Sequence, residues 1–355
     1  MMGVVFAVED TREHGSVIMH MISQLSVGMD LTKIVLPTYI LERRSLLEMY
    51  ADFMTFADLF EAINEGHSEE ERMVAMLRWY MSTFYGGRKS GLAKKPYNPI
   101  LGEEFRCCWN SPSLSQSEKV VPGSPFPEAL ANQITFVGEQ VSHHPPVSAF
   151  YVEHPAKRMQ VTGQIWTKSK FLGLSIAVYN VGETCLYLGD HDEEYIFNFP
   201  SAYGRSILTT PWVEFGGKCY IKCSKSGYHA DIEFLTKPFY NGKAHCVRAD
   251  VFRPDDKIPV LTVKGQWNDV LLAKSSQGVH YLTAFMLWRY VTAALKERDV
   301  HKATRCKFWL EQQQREEAKR RMKNNLPWVP VSFYEVRERW TYRNSLKDRL
   351  LDCAQ

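Results

Sequence analysis

No apolar run in this sequence approaches the roughly 20 residues that a membrane-crossing helix needs. Charge of one sign is lacking too: 43 Lys+Arg stand against 40 Asp+Glu, a formal net charge of +3. So weak a positive balance gives no support to a nucleic-acid-binding protein, which carries a strongly basic face. The opening stretch, Met1 to Val8, is apolar but has no basic n-region and stops at Glu9-Asp10, which makes it a poor signal peptide. The eight cysteines (Cys107, Cys108, Cys185, Cys219, Cys223, Cys246, Cys306 and Cys353) form no disulfide framework in a chain this long without a signal, and read as the reduced thiols of a cytosolic protein. Cys219 and Cys223 share one face of a predicted strand, yet no second Cys or His pair stands near at zinc spacing. Internal repeats are also absent. What remains is a chain of 355 residues, 45% hydrophobic and 23% charged, a soluble globular composition that excludes disordered and fibrous classes. Its length fits about two domains or one large β-rich unit. Aromatic residues at 13% suit a large core or an apolar cavity.

Three regions differ in texture. In the first, Val17, Ile18, Met21, Ile22, Leu25 and Met29 recur at spacings of three and four, an amphipathic helical stripe. Pro37 interrupts, a second apolar stretch follows from Leu46 to Phe60, and a third helix is predicted over Glu69 to Tyr85, stopped by Gly86-Gly87. From about 96 to 270 the period becomes two. Tyr195, Phe197 and Phe199 alternate with Ile196 and Asn198; Tyr220–Cys223, a Ser224-Lys225-Ser226-Gly227 turn and Tyr228–Phe234 read as a hairpin. So many successive antiparallel strands imply a meander, best closed as a barrel so that its edges are not exposed. Residues 111–127, rich in Ser and Pro, read as a flexible insertion. From about 282 to Asn325 the chain reads as helical again, charged in its later part.

The usual marks of catalysis are missing. There is no Gly-x-Ser-x-Gly elbow, no His-Glu-x-x-His helix, no Cys followed by five residues and Arg, and no phosphate-binding Gly-x-x-x-x-Gly-Lys-Ser/Thr loop. Three other segments stand out. In Glu139 to Ser148, Pro145 and Pro146 remove two ladder donors, so regular pairing is expected to stop there and let the adjacent His143 and His144 reach one ligand. The plain alternative is a proline-rich turn with two surface histidines. Lys95 and Asn98 sit in a loop bracketed by Pro96 and Pro99. Lys307, Glu311 and Arg315, at four-residue steps, line one helix stripe in which Glu311 can hold both cations, although such a stripe is also ordinary helix surface. Two imidazoles, fixed cations and an amide form a phosphate-binding inventory. A phosphate there would favour the charged imidazoles. With no acid–base pair among them, the reading is binding, with no catalytic residues, no metal and no cofactor.

Glu139-Gln140-Val141-Ser142-His143-His144-Pro145-Pro146 resembles, at every position, the signature of the oxysterol-binding protein-related family. Lys95 to Glu103 is similar to that family's second motif. Asp30-Leu31-Thr32-Lys33, Leu36 to Glu42 and Trp166 to Gly173 are similar to the branch holding its related proteins nine, ten and eleven. The resemblance spans about residues 14 to 343. It implies an α+β fold: an incomplete antiparallel β-barrel around a lipid tunnel, with an N-terminal lid and helices and a C-terminal helical region. The divisions expected are a tail (1–13), lid (14–36), helices (37–90), barrel (96–270), C-terminal helices (282–325) and a tail (344–355). It implies phosphatidylinositol 4-phosphate at the tunnel mouth, exchanged for a second lipid, phosphatidylserine ahead of sterol. Lys95 and Asn98 would lie at the headgroup, His143 and His144 would hold the 4-phosphate, and Lys307, Glu311 and Arg315 would complete the site. Val17, Ile18, Met21, Ile22, Leu25, Met29, Leu31, Ile34 and Leu36 would form lid and tunnel. The protein would be cytoplasmic and peripheral at endoplasmic reticulum, Golgi or endosome contacts. Alternatives are a lipid sensor or scaffold without transfer, and a metal-dependent hydrolase using the histidine pair. The sequence departs from the family between Trp267 and Trp288, where a longer segment is usual and where Gly278 to Tyr281 is expected to run almost directly into helix. It also shows no pleckstrin-homology segment and no two-phenylalanine acidic tract, which leaves targeting to a protein partner, a further region or weak membrane affinity.

Overall fold

The computed structural model describes residues 27, 29, 41–86, 95–115, 119–173, 175–205, 212–238, 242–268, 279–282, 289–297 and 299–352. It opens with strand β1 (Leu41–Ser45), helix α1 (Leu46–Ala51), a 3-10 turn at Asp52–Met54, and helices α2 (Ala57–Glu61) and α3 (Glu69–Gly86). The apolar stretch from Leu46 to Phe60 is thus broken rather than continuous. Thr55 donates its hydroxyl to the Asp52 carbonyl, and the Asp52 carboxylate is held by Arg44 at 3.0 Å, both at the break.

The strands that follow are β2 (Lys95–Tyr97), β3 (Glu104–Asn110), β4 (Gln133–His143), β5 (Pro146–His154), β6 (Met159–Phe171), β7 (Ile176–Val181), β8 (Thr184–Leu188), β9 (Glu193–Phe197), β10 (Ser201–Arg205), β11 (Trp212–Cys223), β12 (His229–Leu235), β13 (Cys246–Phe252), β14 (Leu261–Gln266) and β15 (Val279–Leu282). All but β1 and β2 belong to one 13-stranded sheet, ordered β14-β13-β12-β11-β10-β7-β6-β5-β4-β3-β15. Between the long strands β6 and β11 it forks: β7 and β10 bridge one half, β8 and β9 the other. Among the described strands β14 and β15 are the two edges, so this is an incomplete antiparallel barrel. In the stretch expected to lead into helix, Val279–Leu282 is a strand paired with the β3 edge.

The period-two patterns are visible in burial. Along β12, Ala230, Ile232 and Phe234 are buried while Asp231, Glu233 and Leu235 face solvent. The concave face is filled by the helices. On α3, Met73, Met76, Leu77, Trp79, Tyr80 and Phe84 are all buried, and the Phe84 ring lies 4.9 Å from Phe234 and 5.3 Å from Phe215. Edge-to-face packing of this kind stabilises each pair by about 0.5–1.5 kcal/mol beyond the area buried.

Strands β4 and β5 are buried on both faces. Their outer face is covered by a hairpin of β16 (Phe333–Val336) and β17 (Arg339–Tyr342), where Tyr342 stacks on Tyr151 at 4.4 Å. Helices α4 (Arg289–Lys296) and α5 (Val300–Lys323) precede that hairpin. The residues read as a tail from 344 onward hold a docked helix, α6 (Leu346–Asp352). The Leu346 N–H donates to the Tyr151 hydroxyl at 2.7 Å, and Arg349 pairs with the buried Glu153. The seven described cysteines are free thiols.

Candidate functional site

The signature segment is a tight β-hairpin. The ladder between β4 and β5 does not stop at the prolines: Pro146 pairs with His143 as the first residue of β5, and Pro145 sits in the turn. A strand's first position and a turn are the places where a missing N–H costs nothing. The irregularity lies earlier, between Gln140 and Ser142. There the Gln140 side chain donates to the Ser142 carbonyl at 2.8 Å and accepts from the Ser148 hydroxyl at 2.6 Å, holding the bulge from both strands. Because His143 ends the ladder and His144 begins the turn, their rings meet, with centroids 4.7 Å apart and planes at 77°. His143 is half-buried and His144 exposed.

Glu139 has a different task. Its fully buried carboxylate accepts the N–H groups of Val331 and Ser332, both at 2.7 Å, and so fastens the chain after α5 onto β4. Burial, and secondarily the charge of Glu104, raise its pKa against those bonds.

The loop after β2 is locked onto the same strand. The Gly102 N–H donates to the Gln140 carbonyl at 2.9 Å, and the Gln140 N–H to the Glu103 carbonyl at 3.0 Å. The Glu103 side chain, 1% exposed, accepts the Ile100 N–H at 3.1 Å and the Ser45 hydroxyl. Gly102 takes φ +78°, and an added Cβ would stand 2.4 Å from Trp328, so only glycine fits under that ring. The end of the loop is therefore fixed three residues from His143 along β4. Asn98 is exposed on it; the backbone of Lys95 opens β2, while the Lys95 side chain lies outside what the structure describes.

A small core brings in the third segment. Tyr97 and Ile100 pack with Val291, Ala294 and Leu295 of α4 and with Ala303, Cys306 and Leu310 of α5. That packing turns Lys307 and Glu311 toward the fold, with side chains 13% and 27% exposed and an ion pair of 3.1 Å. Glu311 holds only one of the two cations expected of it: Arg315 is exposed and donates to Gln312 at 3.1 Å instead. The negative charge of Glu311 nevertheless reaches His143. Burial and then the neighbouring His144 lower the His143 pKa, and Glu311 partly restores it. The Nδ1 atom of His143 is buried without a partner, an unmet hydrogen-bonding group at the junction of the three segments. Among the described residues no group of three His, Cys, Asp or Glu stands close enough to hold a metal ion.

From this junction β5 runs inward. Four residues beyond Pro146, or ~13 Å at strand rise, Phe150 lines an apolar cavity. Its other walls come from α1 and the turn after it (Met49, Tyr50, Phe53), α3 (Thr83, Phe84) and the sheet (Ile165, Phe215). The lining is mostly apolar and aromatic, the chemistry of a site for an apolar ligand. Nothing in the sequence beyond its aromatic richness marks these residues as walls of a cavity. Of the residues expected to form the lid, Val17, Ile18, Met21, Ile22, Leu25, Leu31, Ile34 and Leu36 lie outside the described residues. Met29 is described: it is 40% exposed, and its carbonyl accepts the Phe171 N–H at 3.1 Å.

Comparison with known proteins adds the following. A family profile described as oxysterol-binding protein matches residues 20–291. Oxysterol-binding protein-related protein 9 of Homo sapiens is 49% identical over 364 residues, which cover 95% of this chain and 49% of that protein. The related protein 11 of Homo sapiens is 45% identical over 378 residues, covering 96% and 50%. The related protein 10 of Homo sapiens is 45% identical over 370 residues, covering 95% and 48%. The chain thus spans about half the length of the curated relatives it matches. Among solved structures, the Osh1 ORD domain in complex with ergosterol superposes with a TM-score of 0.69 at 22% identity, covering 94% of this chain and 87% of that one. The Osh3 ORD from Saccharomyces cerevisiae in complex with PI(4)P gives 0.66 at 19% identity, covering 99% and 94%. Both likenesses show the fold.

Proposed function

The chain belongs to the oxysterol-binding protein family, and from that premise we propose that it is a lipid-exchange protein that carries phosphatidylinositol 4-phosphate one way and a second lipid the other. The observation that carries the reading is the convergence of three segments distant in sequence. A histidine pair, an amide-bearing loop and a cationic helix stripe meet where β5 leads into an apolar cavity. His143 and His144 hold the 4-phosphate, with Lys307 and Arg315 as further cations and Glu311 orienting Lys307 or meeting an inositol hydroxyl. Lys95 and Asn98 complete the headgroup site.

The acyl chains enter the cavity, where each buried CH₂ contributes about 0.8 kcal/mol. Residues 14–36 act as a lid over them. No bond is made or broken, so no catalytic residue is required; a gradient of the phosphoinositide drives counter-transport. Phosphatidylserine is the second lipid in this reading, and sterol, the ligand named for the Osh1 structure, is next. Such a carrier works from the cytoplasm at contacts of the endoplasmic reticulum with Golgi or endosome membranes, helped there by a protein partner.

The test is transport between two vesicle populations. With phosphatidylinositol 4-phosphate in one population and labelled phosphatidylserine in the other, exchange predicts that each lipid accelerates movement of its counterpart. Binding at equilibrium with no net movement would identify a sensor and overturn the exchange.

A further inference from the structure

Helix α5 carries a second surface beside the candidate headgroup stripe. At 100° per residue, Met322, Arg315, Phe308, Lys319, Arg305 and Lys323 fall in that order within an arc of about 100°. Glu311 and Glu316 flank the arc on either side, and no carboxylate lies within it. All six residues are exposed, Phe308 at 61% and Met322 at 82%. Arg305, Lys319 and Lys323 make no ion pair among the described residues, whereas Lys302, Lys307 and Arg321 of the same helix do. The Arg315 guanidinium lies 5.9 Å from the Phe308 ring centroid, joining the charged and apolar parts of the face. Just beyond Glu316, Trp309 is 68% exposed.

An ordinary solvated helix alternates its charges and keeps its large apolar side chains covered. A face with four cations, an exposed phenylalanine and an exposed methionine but no anion is complementary to an anionic lipid surface. There the cations meet headgroups and the apolar side chains enter the acyl boundary. Arg315 belongs both to this face and to the stripe of Lys307 and Glu311, so the two surfaces are continuous.

We infer that this face of α5 docks on anionic membranes and brings the headgroup site against the bilayer from which the lipid is drawn. The inference rests on the exchange reading for its purpose but not for its observable, which is adsorption to vesicles that contain no phosphoinositide. The full chain is sedimented with phosphatidylcholine vesicles, with and without phosphatidylserine, at low and high salt. Expected is salt-sensitive binding to the anionic vesicles only. In Arg305→Gln/Lys319→Gln/Lys323→Gln, with helicity unchanged by circular dichroism, binding falls about fivefold per cation, on the order of a hundredfold in all. Phe308→Ser removes the part of binding that survives high salt. Unchanged binding in the folded triple variant would overturn the inference and assign the face to another partner. Absence of any anionic preference in the unaltered chain would overturn it as well. His143→Ala/His144→Ala keeps this adsorption while losing headgroup pickup, so failure of the exchange reading and failure of the docking face give different results.

Discussion

Gly102→Ala puts a methyl group where two separate features oppose it. The residue has φ +78°, a left-handed conformation that costs an L residue about 1–2 kcal/mol. The new Cβ would also stand 2.4 Å and 2.5 Å from two atoms of the Trp328 ring. Forcing the ring aside is an overpacking cost of about 1–3 kcal/mol. The combined destabilisation is about 2–5 kcal/mol. Unfolding entropy of about 2.1 cal/mol/K per residue over 355 residues gives ~0.75 kcal/mol/K, so the melting midpoint should fall by roughly 3–7 °C. Circular dichroism melts read this directly. A double-mutant cycle with Trp328→Ala divides the two causes. Without the indole only the backbone cost remains, so Gly102→Ala then costs about 1–2 kcal/mol and the coupling is about 1–3 kcal/mol. Trp328→Ala strands no hydrogen bond, because the buried indole Nε1 has no partner. The loop's amide donates to Gln140, so headgroup pickup should weaken in Gly102→Ala and recover in the double variant. A midpoint within about 1 °C of the parent, or an equal cost in both backgrounds, would refute the reasoning.

Three further outcomes follow from the site. The His143 pKa is lowered by burial and by His144, so a phosphate that favours the charged imidazole must bring a proton with it. Headgroup affinity should rise as pH falls from about 8 to 6, by up to about tenfold per unit for one proton; a flat profile would contradict the role given to His143. Stability of the free protein moves the other way: the depressed pKa contributes stability above about pH 6.5 that is lost as pH drops through the folded value. Glu311→Gln removes the charge that holds the His143 pKa up, so its titration followed by NMR should move further down; an upward move would remove Glu311 from the site. Ile165→Trp fills part of the cavity: a soluble inositol 4-phosphate should still bind. Whole-lipid pickup should fall about tenfold or more, because each CH₂ denied burial costs about 0.8 kcal/mol. Undiminished extraction would place the chains elsewhere.

Much of the fold was legible wherever one face of an element is buried. The three- and four-residue spacing of α3 and the alternation of β12 survive in the burial of Tyr80, Phe84, Ile232 and Phe234. The outer cover of β4 and β5 was not legible, for a physical reason. Its hairpin turns at Arg337 and Glu338, which take φ 48° and 65° without the Asn or Gly that usually marks such a turn. Each of its strands is four residues long, too short for a period to register. The candidate site was legible by its motifs but not by its division of labour. Glu139 and Gln140 belong to the same signature as the histidines, yet they are buried braces. Glu139 binds backbone amides 192 and 193 residues away, a pairing that local spacing does not encode. The break between α1 and α2 was likewise hidden, because it depends on Asp52 meeting Arg44 from the preceding strand.

The central claim is that His143 and His144 form the phosphate end of a lipid site whose apolar end is the cavity behind Phe150. Extraction of phosphatidylinositol 4-phosphate from vesicles by the purified chain, beside a folded His143→Ala/His144→Ala variant, tests it most directly. Extraction by the unaltered protein and its loss in the variant is the result predicted. A well-folded protein that extracts nothing, or a variant that extracts as well as its parent, would contradict the account.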